Sequence, residues 1–176
     1  MSKPSSSSSP ATIPGIEIRR AGEADVAGIH RLMTANLAAN GGCLSASFSP
    51  EQIVAMLQTA PMLVAHRETE VVGFLMTGSR AASGEVPVLR AMLEAYPGAE
   101  DAYVYGPVCV AADVRGQGLA QTMFAELRRH LPGREGILFV RRDNAASLRA
   151  HAKMGMREVA EFSFRDAGHV VFAYRG

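Results

Sequence analysis

Charge of either sign is in short supply as a surplus: 18 Lys and Arg stand against 17 Asp and Glu, for a formal net charge of +1 over 176 residues. Like charges gather only in pairs such as Arg128-Arg129 and Arg141-Arg142, so neither nucleic acid nor a membrane surface is an expected partner. Long apolar runs are missing too. None approaches the ~20 residues needed to cross a bilayer, and the N-terminal MSKPSSSSSPATIPG lacks the apolar region of a secretory signal, which makes a cytoplasmic location the expectation. Cysteine is scarce. Cys43 and Cys109 lie far apart with no metal-type spacing, so neither a structural disulfide nor a bound metal is expected, and Cys109 in its β-like run reads as a small buried hydrophobe.

What is there fits one domain of ordinary size. Residues 1–14 are Ser-rich and bounded by Pro, a composition that buries too little to offset ordering, and read as a flexible tail before a single domain over 15–176. IEIRR (16–20) alternates like a half-buried strand, and Val26, Ile29, Leu32, Met33, Asn36 and Leu37 recur at helical spacing up to Gly41-Gly42. Ser49, Pro50 and Gln52 form a capping-box start for a second helix. Runs 62–68 and 71–78 read as a hairpin, 85–98 as a short helix, YVYGPVCV (103–110) as a strand, 119–131 as a helix and GILFV (136–140) as a buried strand. A further helix over 144–155 stops at Gly155, and two strands follow around Asp166 to Gly168. The class is α+β with a mixed sheet and no internal repeat.

Between the strand ending at Val110 and the helix starting at Leu119 stands the hexad RGQGLA, Arg115 to Ala120. Two readings are open: Gly116 and Gly118 make a tight connection, or they let the backbone approach an anion at a helix N-terminus, where unpaired N–H groups and the macrodipole favour pyrophosphate. A P-loop is excluded because no Gly-Lys-Ser/Thr follows at the right interval, and a dinucleotide fingerprint lacks its third glycine at Gln121.

These residues resemble the GNAT superfamily of acyl-CoA-dependent N-acyltransferases. Arg115, Gly116, Gln117, Gly118, Leu119 and Ala120 match its motif A, and Asn144, Ser147, His151, Gly155 and Met156 occupy the places of its motif B. Two motifs in order and on the right elements say more than either alone. The resemblance, which runs from Ile16 to Arg175, implies a mostly antiparallel seven-stranded sheet whose parallel fourth and fifth strands splay into a cleft, with helices on both faces. It implies acetyl-CoA as cosubstrate, with pantetheine along Val108, Cys109 and Val110, pyrophosphate on the N–H groups from Arg115 to Ala120, and contacts from Asn144 and His151. Three departures stand out: Asp113 replaces the Gln or Arg of the stricter motif A, Ala112 stands where proline is frequent, and His151 replaces the tyrosine that usually protonates the departing thiolate.

Independently of the family, Asn144, Ser147 and His151 at i, i+3 and i+7 form one polar stripe, although Asn144 also suits a helix cap. Acyl transfer to a primary amine needs a neutral amine, a polarised carbonyl and a good leaving group. The expected polariser is the Val110 N–H, His151 reads either as the proton donor to the departing thiolate or as a ring that only packs or hydrogen-bonds CoA, and Asp101, Tyr103 and Tyr105 share a strand face from which a proton relay could run, or simply pack. Segment 79–101, with Glu85, Glu94, Glu100 and Asp101, reads either as a lid over the amine acceptor or as a solvated face. An acyl-CoA-binding sensor, a degenerate family member and a protein-interaction module are the rival expectations. A homodimer stands open by analogy with the family.

Overall fold

A computed structural model describes residues 13–42 and 44–176; Cys43 and the first twelve residues of the expected tail lie outside them. The alternating runs form seven strands, β1 (Ile16–Arg20), β2 (Leu63–Arg67), β3 (Glu70–Ser79), β4 (Tyr103–Val110), β5 (Glu135–Arg141), β6 (Arg157–Phe164) and β7 (Ala167–Arg175). The helices are α1 (Val26–Ala35), α2 (Pro50–Thr59), α3 (Arg80–Ser83), α4 (Pro87–Ala95), α5 (Leu119–His130) and α6 (Ala145–Lys153). One mixed sheet runs in the order β1-β2-β3-β4-β5-β7-β6, and of these strands only β4 and β5 pair in parallel among the described residues.

The two-residue period of a strand sends alternate side chains to opposite faces. Along β7, Val170, Phe172 and Tyr174 meet Leu119, Met123, Phe124 and Leu127 of α5 on one face, whereas Val171 joins Met92 of α4 on the other. α1 and α2 cover the rest of that second face through Ile29, Met33 and Ile53, packed against Val64, Phe74 and Met76. Burying a side chain of this size stabilises the fold by roughly 1.5–3 kcal/mol, so Ile29, Met33, Ile53 and Phe74, all fully buried, anchor their elements.

Several local expectations hold in detail. Ser49 Oγ accepts from the Gln52 N–H while Gln52 Oε1 accepts from the Ser49 N–H, closing the capping box of α2. α1, however, ends at Ala35 and not at Gly41-Gly42, because Asn36 turns its side chain back and donates to the Leu32 carbonyl at 2.8 Å. A short polar side chain that competes for main-chain groups in this way disfavours further helix.

Segment 79–101 is a docked element. Met92 of α4 is fully buried, and Leu89, Leu93 and Tyr96 pack beside it against β4, β5 and β6. Glu135, only 7 % exposed, holds the segment's return: its carboxylate accepts from the Tyr96 hydroxyl at 2.9 Å and from the Ala99 N–H at 2.5 Å. Arg80 donates to the Ala99 carbonyl from the other side at 2.8 Å. Glu85, Glu94, Glu100 and Asp101 are exposed, as a solvated face requires.

Candidate active site

The sheet opens between β4 and β5. Their pairing is confined to Tyr103 with Gly136 and Val104 with Ile137, after which β5 keeps β7 as its neighbour and β4 keeps β3. From Tyr105 onward, β4 therefore has one side without a strand among the described residues.

An irregularity in β4 decides what faces that gap. Leu75 is level with Val108 and Thr77 with Tyr105, so β4 carries one residue more than β3 across this interval, at Gly106-Pro107. The extra residue shifts the alternation. Tyr103, Tyr105, Val108 and Val110 all lie toward the α5 face, and Cys109 lies toward α1 and α2. The Ala111 N–H donates to the Val72 carbonyl at 2.9 Å. By the alternation of an antiparallel ladder, Cys109 then exchanges its main-chain bonds with Phe74, and the N–H and C=O groups of Val108 and Val110 point into the gap. The expectation for Val108, Cys109 and Val110 is thus corrected at Cys109, whose backbone is occupied by β3. Burial pushes its thiol up to about 11, against the pull of the nearby Arg115 cation, which leaves it a buried hydrophobe.

Beyond Val110 the chain makes a short 3-10 turn, Ala112–Val114, and enters the hexad. Gly116 and Gly118 both have positive φ, +75° and +82°, angles that L side chains rarely adopt. Among the described residues a Cβ on Gly116 would meet nothing within 4 Å, so its glycine serves the backbone angle. Gly118 is the N-cap of α5, and among the described residues no side chain caps it, unlike α2 and α6. Its first-turn N–H groups thus have no intrahelical acceptor, and the positive end of a 12-residue helix faces the opening.

Asp113, the departure from motif A, is neutralised. Arg67 of β2 donates to its carboxylate at 2.7 Å, and that hydrogen bond holds the carboxyl below its usual range.

The motif B stripe divides. Asn144 Oδ1 accepts from the Ser147 N–H at 3.1 Å, capping α6, while its Nδ2 has no partner among the described residues. His151 turns inward and is 6 % exposed. Its Nδ1 lies 2.8 Å from the Ser147 carbonyl, which assigns the proton to that nitrogen, and Nε2 is buried without a partner among the described residues. Burial lowers its pKa below the ordinary imidazole value, outweighing the bond to Ser147, and so favours the neutral ring. In this arrangement the proton of the neutral ring is committed to the Ser147 carbonyl, so His151 acts as a proton donor only after Nε2 gains a proton.

Tyr105 lies beneath it. Its ring meets Phe124, His151 and Tyr174 edge to face, each at 5.9 Å, and its hydroxyl is buried with no partner among the described residues. Burial raises its pKa far above the phenol value. Tyr105 is thus packed among rings from α5, α6 and β7. Tyr103 is likewise buried, its hydroxyl bonded to that of Tyr174, and Asp101 precedes the strand in a turn.

An unpaired strand edge leading to an uncapped helix N-terminus fits an extended ligand with amides along its length and phosphate at its end. The sequence profile described as the Acetyltransferase (GNAT) family matches residues 29–156. The chain belongs to this family. No curated protein is significantly similar in sequence. Among solved structures, the GNAT chain resembles the ribosomal-protein-alanine N-acetyltransferase of Brucella melitensis at 23 % identity and TM-score 0.64, over 90 % of this chain and 99 % of that one. The putative acetyltransferase yncA of Salmonella typhimurium, solved with its cofactor acetyl-CoA, is 19 % identical with TM-score 0.65, over 92 % and 94 %. Arabidopsis thaliana NAA60, solved with a bisubstrate analogue, is 16 % identical with TM-score 0.65, over 91 % and 97 %. At these identities the likeness is one of fold.

Sequence reasoning missed three residues that shape the site. Asn36 was absorbed into the apolar stripe of α1, although an amide among Ile29, Leu32 and Met33 was itself a signal. Arg67 and Glu135 carried none, since their partners Asp113 and Ala99 are distant in sequence.

Proposed function

We propose that this protein is an N-acetyltransferase that moves an acetyl group from acetyl-CoA directly to a primary amine of a small molecule or peptide. The observation that carries the proposal is the strand edge of Val108 and Val110, unpaired on the β5 side and continuous with the glycine loop and bare N-terminus of α5. Pantetheine amides pair with the outward N–H and C=O groups of Val108 as an added strand would, and the Val110 N–H next along the edge is left to the thioester. The N–H groups from Arg115 to Ala120 take the pyrophosphate, and Asn144 Nδ2 donates to the ligand from the opposite helix.

Acetyl-CoA supplies an activated thioester carbonyl. The Val110 N–H polarises it, and such a donor is typically worth on the order of a hundredfold or more in rate. The amine nitrogen attacks the carbonyl carbon, the C–S bond breaks, and the amine proton leaves to water. A thiol of pKa near ~8.5 departs as thiolate without a dedicated acid, which suits a site whose histidine and tyrosine are both closed off.

Binding and turnover test this in sequence. Acetyl-CoA raises the unfolding temperature of the protein, and a thiol-release screen over polyamines, amino acids, aminoglycosides and peptide N-termini finds an acceptor. No stabilisation at high acetyl-CoA rejects the proposal. The neutral, buried His151 and the sealed Tyr105 favour one second reading, an acyl-CoA-binding sensor, which stabilisation without thiol release from any amine would support.

A further inference from the structure

The side chain of Arg115 does not reach outward over the loop that it opens. Its Nε–H donates to the Val110 carbonyl at 3.0 Å, and Nη2 donates to Asn36 Oδ1. Asn36, 9 % exposed, is itself held on two more sides: Nδ2 donates to the Leu32 carbonyl at 2.8 Å, and its carbonyl accepts from the Leu44 N–H at 3.0 Å. One planar guanidinium thus ties the last residue of β4 to the end of α1, across the face opposite α5. Val110 is where such a tie matters, because β5 gives it no pairing partner on its outer side.

We propose that Arg115 is a positioning residue for the acetyl-transfer step, acting through Val110 rather than as a phosphate ligand. This rests on the acetyl-transfer reading above. By clamping the Val110 carbonyl, Arg115 fixes the orientation of the unpaired strand end and hence of the N–H that polarises the thioester. That orientation acts on the reacting centre, where a displacement of about 1 Å costs on the order of a hundredfold in rate. The phosphate cradle is left to the backbone.

Two donors separate the roles, acetyl-CoA and S-acetylpantetheine, which has the same thioester and amides but no phosphate. Steady-state kinetics would be measured for Arg115→Gln and Arg115→Lys with the acceptor that the screen identifies. The expected result is a kcat lower by about tenfold or more with both donors, with KM for acetyl-CoA within about threefold of wild type. Lys fails to rescue, because one ammonium cannot reproduce the planar fork that spans Val110 and Asn36. Asn36→Ala, which removes the far anchor, lowers kcat with both donors in the same way.

A raised KM for acetyl-CoA at unchanged kcat would overturn the assignment, as would a loss confined to acetyl-CoA or full activity in Arg115→Lys. Arg115 is exposed, so its variants should fold, and their unfolding temperatures verify this. If the wild type turns over neither donor with any amine, the acetyl-transfer reading itself fails. An active wild type with the wrong pattern in the variants overturns only the role of Arg115.

Discussion

Tyr105 and Tyr103 are two buried phenols on one strand with opposite hydrogen-bonding circumstances. The Tyr105 hydroxyl has no partner among the described residues, whereas that of Tyr103 is bonded to Tyr174. Tyr105→Phe removes an unsatisfied polar atom and should raise stability by about 1 kcal/mol or leave it unchanged, with turnover retained. Tyr103→Phe strands the Tyr174 hydroxyl and should cost about 1–2 kcal/mol. Thermal unfolding of the two variants reads the contrast directly, and a large kcat loss in Tyr105→Phe would show that its hydroxyl reaches the ligand after all. Arg67 acts on charge rather than packing. Arg67→Gln leaves Asp113 unneutralised beside the phosphate cradle, so acetyl-CoA affinity should fall roughly twofold to fivefold at low salt and recover at high salt. Asp113→Asn in that background should restore it.

At the scale of elements, the start of β4 is set by Glu135. Its two accepted hydrogen bonds hold Tyr96 and Ala99, so the chain leaving α4 enters β4 beside Gly136, and the strands diverge after Val104. Glu135→Ala leaves the Ala99 N–H and the Tyr96 hydroxyl without this acceptor and should destabilise the protein by about 2–4 kcal/mol. Calorimetry would check this value. The other end of the gap depends on the left-handed angle at Gly118. Gly118→Ala costs about 1–2 kcal/mol of backbone strain, and relief of that strain reshapes the first turn of α5. The expected sign is a weaker acetyl-CoA affinity, measured by titration calorimetry, that exceeds any loss of stability.

For the whole molecule, the first strand and the first helix are bound to the sheet by one buried carboxylate. Asp25 accepts from Arg19 twice at 2.8 Å, from the Gly22 N–H at 2.8 Å and from His66 Nε2 at 2.8 Å. Burial works against its ionisation, yet the bonds from Arg19, Gly22 and His66 together hold its pKa below the ordinary value. A carboxyl depressed on folding contributes stability that is fully present above the unfolded pKa, near ~3.9, and is lost as pH falls through the folded pKa. Unfolding temperature should therefore drop steeply below about pH 4, and Asp25→Asn, less stable at neutral pH, should show a shallower acid limb. An acid limb of equal steepness would exclude Asp25 as its origin.

The local order along the chain determined a good deal: strand and helix positions, the capping box at Ser49, the hexad between β4 and α5, and with the second motif at Asn144 the family and its fold. These are properties of neighbours in sequence, where the two-residue and 3.6-residue periods and the turn chemistry of glycine act directly. Only the tertiary structure decided the rest. The extra residue in β4 that turns Cys109 away from the gap is defined by the register with β3. The lowered pKa of His151 comes from its burial on the inner face of α6, and the packing of Tyr105 from rings on α5, α6 and β7. The Arg115 tie to Asn36 joins residues 79 apart. Dielectric, register and long-range hydrogen bonds depend on which distant segments meet, and a string of residues does not contain that until it is folded.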